Sequence, residues 1–553
     1  MPKQSIDRRT FLLASGAAPV AMASSQADDP SDMAAFGRLA GLNFSDTELA
    51  QADNQLSRLR KDYAKLRRNE ISFEMSPSTH FDPFPIAHPQ GDPTGRTAID
   101  IPLDVEMPKS DHDLAFASVI ELASLLRQGQ VTSRKLTELC ISRLKRFDQD
   151  LLCVVSFLTD EALAHADEMD RELAAGTDRG ALHGIPYGAK DLFAWPTAPT
   201  TFGAEPYKEQ VWGVKATPLQ RLEEAGAVLC AKLSLGALAM GDQWFGGRTR
   251  NPYNPAQGSS GSSAGSASSV AAGLLPFALG TETLGSIVSP CSRCGVPGLR
   301  PTFGAVSRFG AMPLSWTMDK VGPIARTAVD AGIVFDAMRG DDGLDPSARN
   351  TAFAWQPGSD ITQLRVGILR ADNWPARECD KAFIQWLKKQ TKELVEVNLP
   401  EADYGSMLVM LRAEAAAAFD ALTRSGLDDQ LTGQRATDWP SQFRAARTIP
   451  AVEYIQASRL RHQLVQDMHT SLAKIDVLVA PTHVDPILTA TNLTGHPTYV
   501  LPVGSNEQEQ DAGRPVMLSL IGQLDGEGAL LALAEAWQQA TNWHLTRPAL
   551  TNK

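Results

Sequence analysis

The stretch from Gly258 to Ser269 reads GSSGSSAGSASS and runs without a break into VAAGLLPFALGTETLGSIVSP. Standing alone, a Gly/Ser-rich segment is a flexible linker. Here the apolar run from Val270 to Gly280 follows at once, so the small residues enter a core instead of leaving one. Small side chains at such an entry let backbone amides approach a ligand or another part of the chain closely. A second small-residue turn, Thr283-Leu284-Gly285-Ser286, follows the apolar run and precedes Ile287. A serine on such a turn can stand beside several backbone N–H groups, which is what an oxyanion requires.

A hydroxyl is a poor nucleophile until a base takes its proton. Histidine is the ordinary base, but His183 in LHGIP and His496 in TGHPT read as turn or packing residues, which speaks against a Ser-His-Asp arrangement. The alternative is a buried lysine. Lys190 in HGIPYGAKDLF has apolar and small neighbours, and desolvation lowers a lysine's pKa toward neutrality, where it can accept a proton. The structural reading of an isolated lysine is a salt bridge with a nearby carboxylate, and Lys190 has to be weighed against it.

These residues need a scaffold, and the chain of 553 residues is long enough to supply one. Hydrophobic residues make up 43% and charged residues 21%, which excludes a disordered, collagen-like or coiled-coil chain. The formal net charge of -12, without a long Lys/Arg run, argues against nucleic acid as a main ligand and against a polybasic membrane-surface protein. Residues 1–27 read as an export signal and the start of a linker: Lys3, Arg8 and Arg9 precede a short apolar run, Phe11 to Ala23, and Ala21-Met22-Ala23 fits a cleavage site. The pair Arg8-Arg9 resembles a bacterial twin-arginine signal, so the expected location is periplasmic or secreted. No run reaches the ~18 apolar residues of a membrane span.

Residues 28–112 read as an N-terminal helical extension followed by an extended connection. Ser45 or Asp46 caps a charged helix to about Arg68 with a stripe of Leu49, Leu56, Leu59, Tyr63 and Leu66, and Met75 to Met107 run over the surface. From Asp113 helix-like segments (Leu114 to Arg127, Ser133 to Phe147, Asp160 to Ala175) alternate with short β-rich runs at Val228 to Ala231, Val366 to Leu369 and Val477 to Val479. Ser133 and Asp160 are the expected N-caps of the last two helices. The alternation predicts an α/β fold with a central twisted, mostly parallel mixed sheet flanked by helices, over residues 113–553.

Three blocks carry a resemblance to a known family: GIPYGAKD around Lys190, the long run from Gly261 to Thr302, and NLTGHPTYVLPVG from Asn492 to Gly504. The chain resembles the amidase signature family of serine hydrolases from about Asp113 to its C-terminus. That resemblance implies a Ser-cisSer-Lys group: Lys190 from the GIPxxxKD motif, Ser262 preceded by a cis peptide, and Ser286 closing the GGSI-like turn. Gly258-Ser259-Ser260 also reads GSS, but counting back from Ala271-Ala272-Gly273 selects Gly261-Ser262-Ser263. The implied chemistry is hydrolysis of a carboxylic amide through an acyl-enzyme. Lys190 takes a proton from Ser262, Ser262 takes one from Ser286, and the N–H groups of Thr283, Leu284, Gly285 and Ser286 hold the oxyanion. No metal and no cofactor is expected. The partner is a small-molecule or peptide amide, and a homodimer is left open.

The sequence departs from the family pattern at three places: Leu284 stands where the family has glycine, Val288 where it has arginine, and Glu282 where it has aspartate. A positive φ at Leu284 would be strained, and Arg293 is the candidate to restore the lost charge. Cys291 and Cys294 form a CxxC after the turn, to be read as buried thiols or as a disulfide made after export. The departures motivate one alternative, a secreted binding protein using the cleft without turnover. A glutamine amidotransferase of the A type is another, opposed by the leader and the acidic balance. Substrate choice is expected to lie between Tyr404 and Glu453, where Ala413 to Ala418 also reads as plain helix.

Overall fold

The computed structural model describes residues 99–372, 374–482, 486–507 and 513–552, together with residues 30–41 and scattered positions before residue 99. The export signal lies outside the described residues, and so does most of the charged helix expected over 45–68. Contacts divide the chain into residues 1–72 and 73–553. In the first unit Pro30–Leu39 forms a helix.

The second unit is built on one sheet of eleven strands. In chain order these are β1 (Val154–Phe157), β2 (Pro186–Lys190), β3 (Val228–Leu233), β4 (Phe277–Glu282), β5 (Gly298–Arg300), β6 (Lys320–Ala325), β7 (Arg365–Leu369), β8 (Glu393–Val397), β9 (Val477–Pro481), β10 (Thr498–Ser505) and β11 (Pro515–Gly522). Across the sheet they lie in the order β1-β3-β2-β4-β6-β5-β10-β11-β9-β7-β8. The α/β sheet flanked by helices is as expected, but its parallel share is smaller. Parallel pairing is confined to β3-β2-β4 and β9-β7-β8, and the pairs between these two flanks, with β1-β3, are antiparallel. The reason is the connection: β2 reaches β3 through a crossover containing the helix Thr217–Glu224, whereas β10 and β11 follow each other in the chain as antiparallel neighbours. Only a crossover returns a strand in the same direction.

Local chemistry explains most helix boundaries. The helix expected from Leu114 is two helices, Asp111–Ala115 and Val119–Arg127, because Ser118 accepts from the Glu121 amide while Glu121 reaches back to the Ser118 amide, a reciprocal cap that starts a new helix. The next helix, α1 (Ser133–Leu151), is capped by Thr132 one residue before the expected position. The following helix, α2 (Thr159–Ala174), has Leu158 at its N-cap and no side-chain cap, so the capping role expected of Asp160 is not used. Among the described residues no helix is long and apolar enough to cross a membrane.

Strand alternation decides what reaches the site. Tyr187 and Ala189 of β2 join one core with Phe277 and Leu279 of β4, and the Tyr187 ring stacks on Phe277 at 5.0 Å. Gly188 and Lys190 therefore face the opposite side, toward α3 (Ala264–Ala271). The Gly/Ser-rich segment is this helix and its approach. Every residue of α3 is buried, and a Cβ on Gly265 would lie 2.4 Å from the Cys153 carbonyl oxygen, so the small residues serve close packing and not linker flexibility.

Candidate active site

β2 and β4 run parallel as neighbours, with Ala189 opposite Leu279, so their C-terminal ends deliver Lys190 and the Thr281–Ser286 segment to the same edge. α3 begins beside them, and its approach brings in Ser262 and Ser263. The peptide bond between Gly261 and Ser262 is cis, as the resemblance implied. Lys190 Nζ stands 2.8 Å from Ser262 Oγ and donates toward Thr281 Oγ1 at 2.9 Å, Ser263 Oγ at 3.1 Å and the Thr281 carbonyl at 3.4 Å. Ser263 is tied to the same strand, donating to the Thr281 carbonyl and accepting from the Thr281 amide. The Ser263 amide in turn donates to the Ser286 carbonyl at 3.1 Å, so the two serine loops are joined through their backbones.

Lys190 is completely buried, and Ser262 and Ser286 are also buried. Burial pulls the Lys190 amine down, Asp319 and Glu282 partly restore it, and the balance is about 7. A neutral amine has two N–H groups and one lone pair. With Thr281 Oγ1 and Ser263 Oγ as acceptors for the N–H groups, the lone pair is available to the Ser262 hydroxyl.

The turn after β4 is held by a residue that the sequence reading treated only as a departure. Glu282 Oε2 accepts from the amides of Ile287 at 2.8 Å and Val288 at 2.9 Å, immediately after Ser286. Its Oε1 accepts from Arg300 Nη1 at 2.6 Å and Asn492 Nδ2 at 2.9 Å. One carboxylate thus closes the loop from 282 to 288 and anchors it to β5 and to the helix Ile487–Thr494. Burial alone would raise the Glu282 carboxyl, but Arg300, Lys320 and the Val288 amide outweigh it and leave it at about 2. The signal in sequence was the charge itself: an acidic residue inside an apolar strand must find partners. Those partners lie 18 and 210 residues away and could not be read from spacing.

This network settles the departures. Arg293 does not restore the missing charge; it is exposed and donates to Gln257 Oε1, while Arg300 supplies the cation. Arg293 sits on the short helix α4 (Val288–Cys294), whose turn carries it to solvent, whereas Arg300 on β5 points into the core. Val288 loses the family's side chain but keeps the amide that Glu282 uses. Leu284 is not in the left-handed region; Gly285 takes that conformation, with φ of 87°. The feared strain at Leu284 is therefore absent. No acceptor among the described residues takes the amides of Leu284, Gly285 and Ser286. Cys291 and Cys294 are buried free thiols, each raised by burial. Neither histidine belongs to the site. His183 bonds the Met169 carbonyl and the Arg179 amide, and His496 is held at about 3 by burial and Arg300.

A cleft opens beside this edge. Its walls include Phe73, Leu192, Ala239, Met312, Leu314 and Trp316, and Thr281 and Thr283 join it to the segment that carries Ser286. Thr283 Oγ1 donates to Asp319 at 2.6 Å, and Arg308 is paired with Asp345 at 2.8 Å, so the polar groups of the cleft are largely engaged with one another.

The model of the Amidase family matches residues 135–501 of this sequence. The chain belongs to the amidase signature family. Among curated members, it is 30% identical over 482 residues to the A subunit of the glutamyl-tRNA(Gln) amidotransferase of Chromohalobacter salexigens, covering 78% of this chain and 98% of that protein. Its counterpart in Halorhodospira halophila is 31% identical over 486 residues, again covering 78% and 98%. Among solved members of the family, the native peptide amidase from Stenotrophomonas maltophilia superposes with a TM-score of 0.70 at 29% identity, covering 79% of this chain and 99% of that one. A bacterial aryl acylamidase of the family shares the fold, with a TM-score of 0.69 at 22% identity.

Proposed function

We propose that this chain hydrolyses the C–N bond of a carboxylic amide through an acyl-enzyme on Ser286, with Ser262 and Lys190 as the proton relay. The observation that carries the reading is a completely buried lysine, brought to about 7, standing 2.8 Å from a serine hydroxyl. Neutral Lys190 accepts the Ser262 proton as Ser262 accepts that of Ser286. The Ser286 oxygen bonds to the carbonyl carbon, and the carbonyl electrons move onto an oxyanion facing the amides of Thr283, Leu284, Gly285 and Ser286. Collapse breaks the C–N bond, and the relay run backwards protonates the departing amine. Water then adds to the acyl group by the same route and releases the acid. No metal enters these steps.

The substrate is a small-molecule or peptide amide, a reading supported by the mainly apolar cleft and by the likeness to a peptide amidase. Incubation of the purified chain with a serine-reactive fluorophosphonate and with a panel of amides tests it. Labelling and turnover are expected in the wild type and neither in Ser286→Ala; wild-type turnover in that variant overturns the assignment.

One observation favours a second reading: the curated relatives are named as amidotransferase subunits. That reading expects the isolated chain to hydrolyse glutamine at best and to ignore anilides and peptide amides, so the same panel separates the two. The periplasmic or secreted location is a further part of the proposal. Replacing Arg8 and Arg9 together by lysine should hold the precursor in the cytoplasm, because the export receptor reads the arginine pair and not total charge.

A further inference from the structure

The cleft and the Ser262 loop share a wall. The turn Leu238–Ala239 places both residues in the left-handed region, with φ of 50° and 61°, and Ala239 lines the cleft near Thr281 and Thr283. Two consecutive side-chain-bearing residues rarely hold that conformation, and it persists only where the surroundings enforce it. Here an enforcing contact comes from far along the chain. Trp439, the first residue of the helix α5 (Trp439–Ala446), donates from its indole Nε1 to the Leu238 carbonyl at 2.9 Å, and both residues are buried. The indole is itself fixed by stacking on Phe443 at 4.9 Å, and Phe443 stacks on Phe419.

The far end of the same loop touches the reacting edge. The carboxylate of Asp242 accepts the Ser260 amide at 3.1 Å, and a Cβ on Gly261 would lie 1.8 Å from the Gly241 carbonyl oxygen. The loop from Leu238 to Asp242 therefore leans against the residues that immediately precede Ser262. A shift at Leu238 would move the cleft wall first. The part of the cleft lining supplied by Phe73, Leu192 and Met312 is apolar, which suits the part of the substrate that stays bound after the amine has left.

We propose that Trp439 is a positioning residue: its indole N–H fixes the Leu238–Ala239 turn, and that turn sets the width of the cleft and hence the size of the acyl group accepted. The inference rests on the amide-hydrolase reading given above. It assigns to one residue the specificity role that the sequence placed loosely between Tyr404 and Glu453.

The test compares wild type, Trp439→Phe and Ala239→Gly on para-nitroanilides whose acyl group grows from acetyl to phenylbutyryl. Phenylalanine keeps the stacking on Phe443 but loses the donor. The wild-type discrimination between the shortest and longest acyl groups, as a ratio of kcat/KM, should narrow by about ten-fold in Trp439→Phe, carried by KM. Ala239→Gly relieves the left-handed strain and removes the wall methyl with Trp439 intact, so it should narrow the ratio in the same direction, and even if Trp439→Phe does not fold it tests whether this turn bounds the acyl group. An unchanged ratio in either folded variant overturns the proposal. An equal loss on all acyl groups, carried by kcat, overturns it as well and makes Trp439 a purely structural residue. Failure of the underlying reading looks different: the wild type itself would turn over none of the anilides and resist the fluorophosphonate.

Discussion

Two completely buried lysines sit one strand apart at the same edge of the sheet, Lys190 ending β2 and Lys232 near the end of β3. Their register is adjacent, with Ala189 opposite Lys232 and Lys190 opposite Leu233. Their side chains face opposite sides of the sheet, and one of them has a carboxylate beside it. Lys232 Nζ stands 2.8 Å from Asp191, completely buried like itself, and donates to the Pro199 carbonyl and Thr200 Oγ1. Lys190 meets hydroxyls and a carbonyl, and no carboxylate lies within ion-pairing distance of it among the described residues. Asp191, the residue next to Lys190 in sequence, points across to Lys232 because successive side chains along an extended chain face opposite sides. The salt bridge that is the ordinary fate of a buried lysine exists here, but the neighbour has it. That leaves Lys190 without an adjacent counter-ion: Asp319 and Glu282 act on it only from a distance, burial outweighs them, and its pKa falls to about 7. Burial without an adjacent carboxylate is what lowers the pKa of Lys190.

The sharpest way to break this contrast is to remove each lysine in turn. Lys190→Ala should lower amide turnover by about a thousand-fold or more, since it takes away the terminal proton acceptor. Lys190→Met, which keeps most of the buried volume, should lose the rate in the same way without a fall in thermal midpoint, which separates the chemical loss from the cavity that alanine leaves. A rate within ten-fold of wild type, measured under substrate saturation, would assign the base elsewhere. Lys232→Met should do the reverse. Leaving Asp191 buried and unpaired costs about 3–5 kcal/mol, to be read from denaturant unfolding, while kcat per folded molecule stays near wild type. Loss of kcat without loss of stability in Lys232→Met would merge the two lysines into one functional unit.

The pH dependence sharpens the difference. Because Lys190 must be neutral, acylation should rise about ten-fold per pH unit below its pKa and level off above about 7. The same group has a stability signature of the opposite kind to a salt bridge. Its folded value of about 7 lies below the ordinary 10.5, so the unfolded chain binds more protons between those limits and stability rises with pH there. Lys190→Met should accordingly be more stable than wild type below about pH 7, with an advantage that shrinks and vanishes as pH approaches 10.5. An advantage independent of pH would mean that Lys190 is not the titrating group.

The smallest expected effect is at Thr281, whose hydroxyl accepts from Lys190 at 2.9 Å. Thr281→Val keeps the shape and removes one acceptor, worth about 0.5–1.5 kcal/mol. An acceptor favours the charged amine more than the neutral one, so its loss should move the rising limb slightly to lower pH. A shift to higher pH would contradict the hydrogen-bond pattern described for Lys190.

Much of this site was written in residue types. Small residues running into an apolar core excluded a linker, a serine turn beside free amides suggested an oxyanion, and the neighbours of Lys190 pointed to desolvation, each a local property of the chain. The α/β class and the elements around Ser133, Val228 and Val477 were legible for the same reason, because apolar periodicity and capping act over a few residues. The tertiary structure decided everything that depends on which distant residue arrives at a given place. It gave Asp191 to Lys232, put Arg300 where Arg293 was expected, recruited Asn492 to Glu282, seated Trp439 on Leu238, and made the middle of the sheet antiparallel. Each is a pairing between charges, donors or strands far apart in sequence, and such a pairing is fixed by how the whole chain closes. A lysine's environment, and with it its chemistry, is a property of the packed interior.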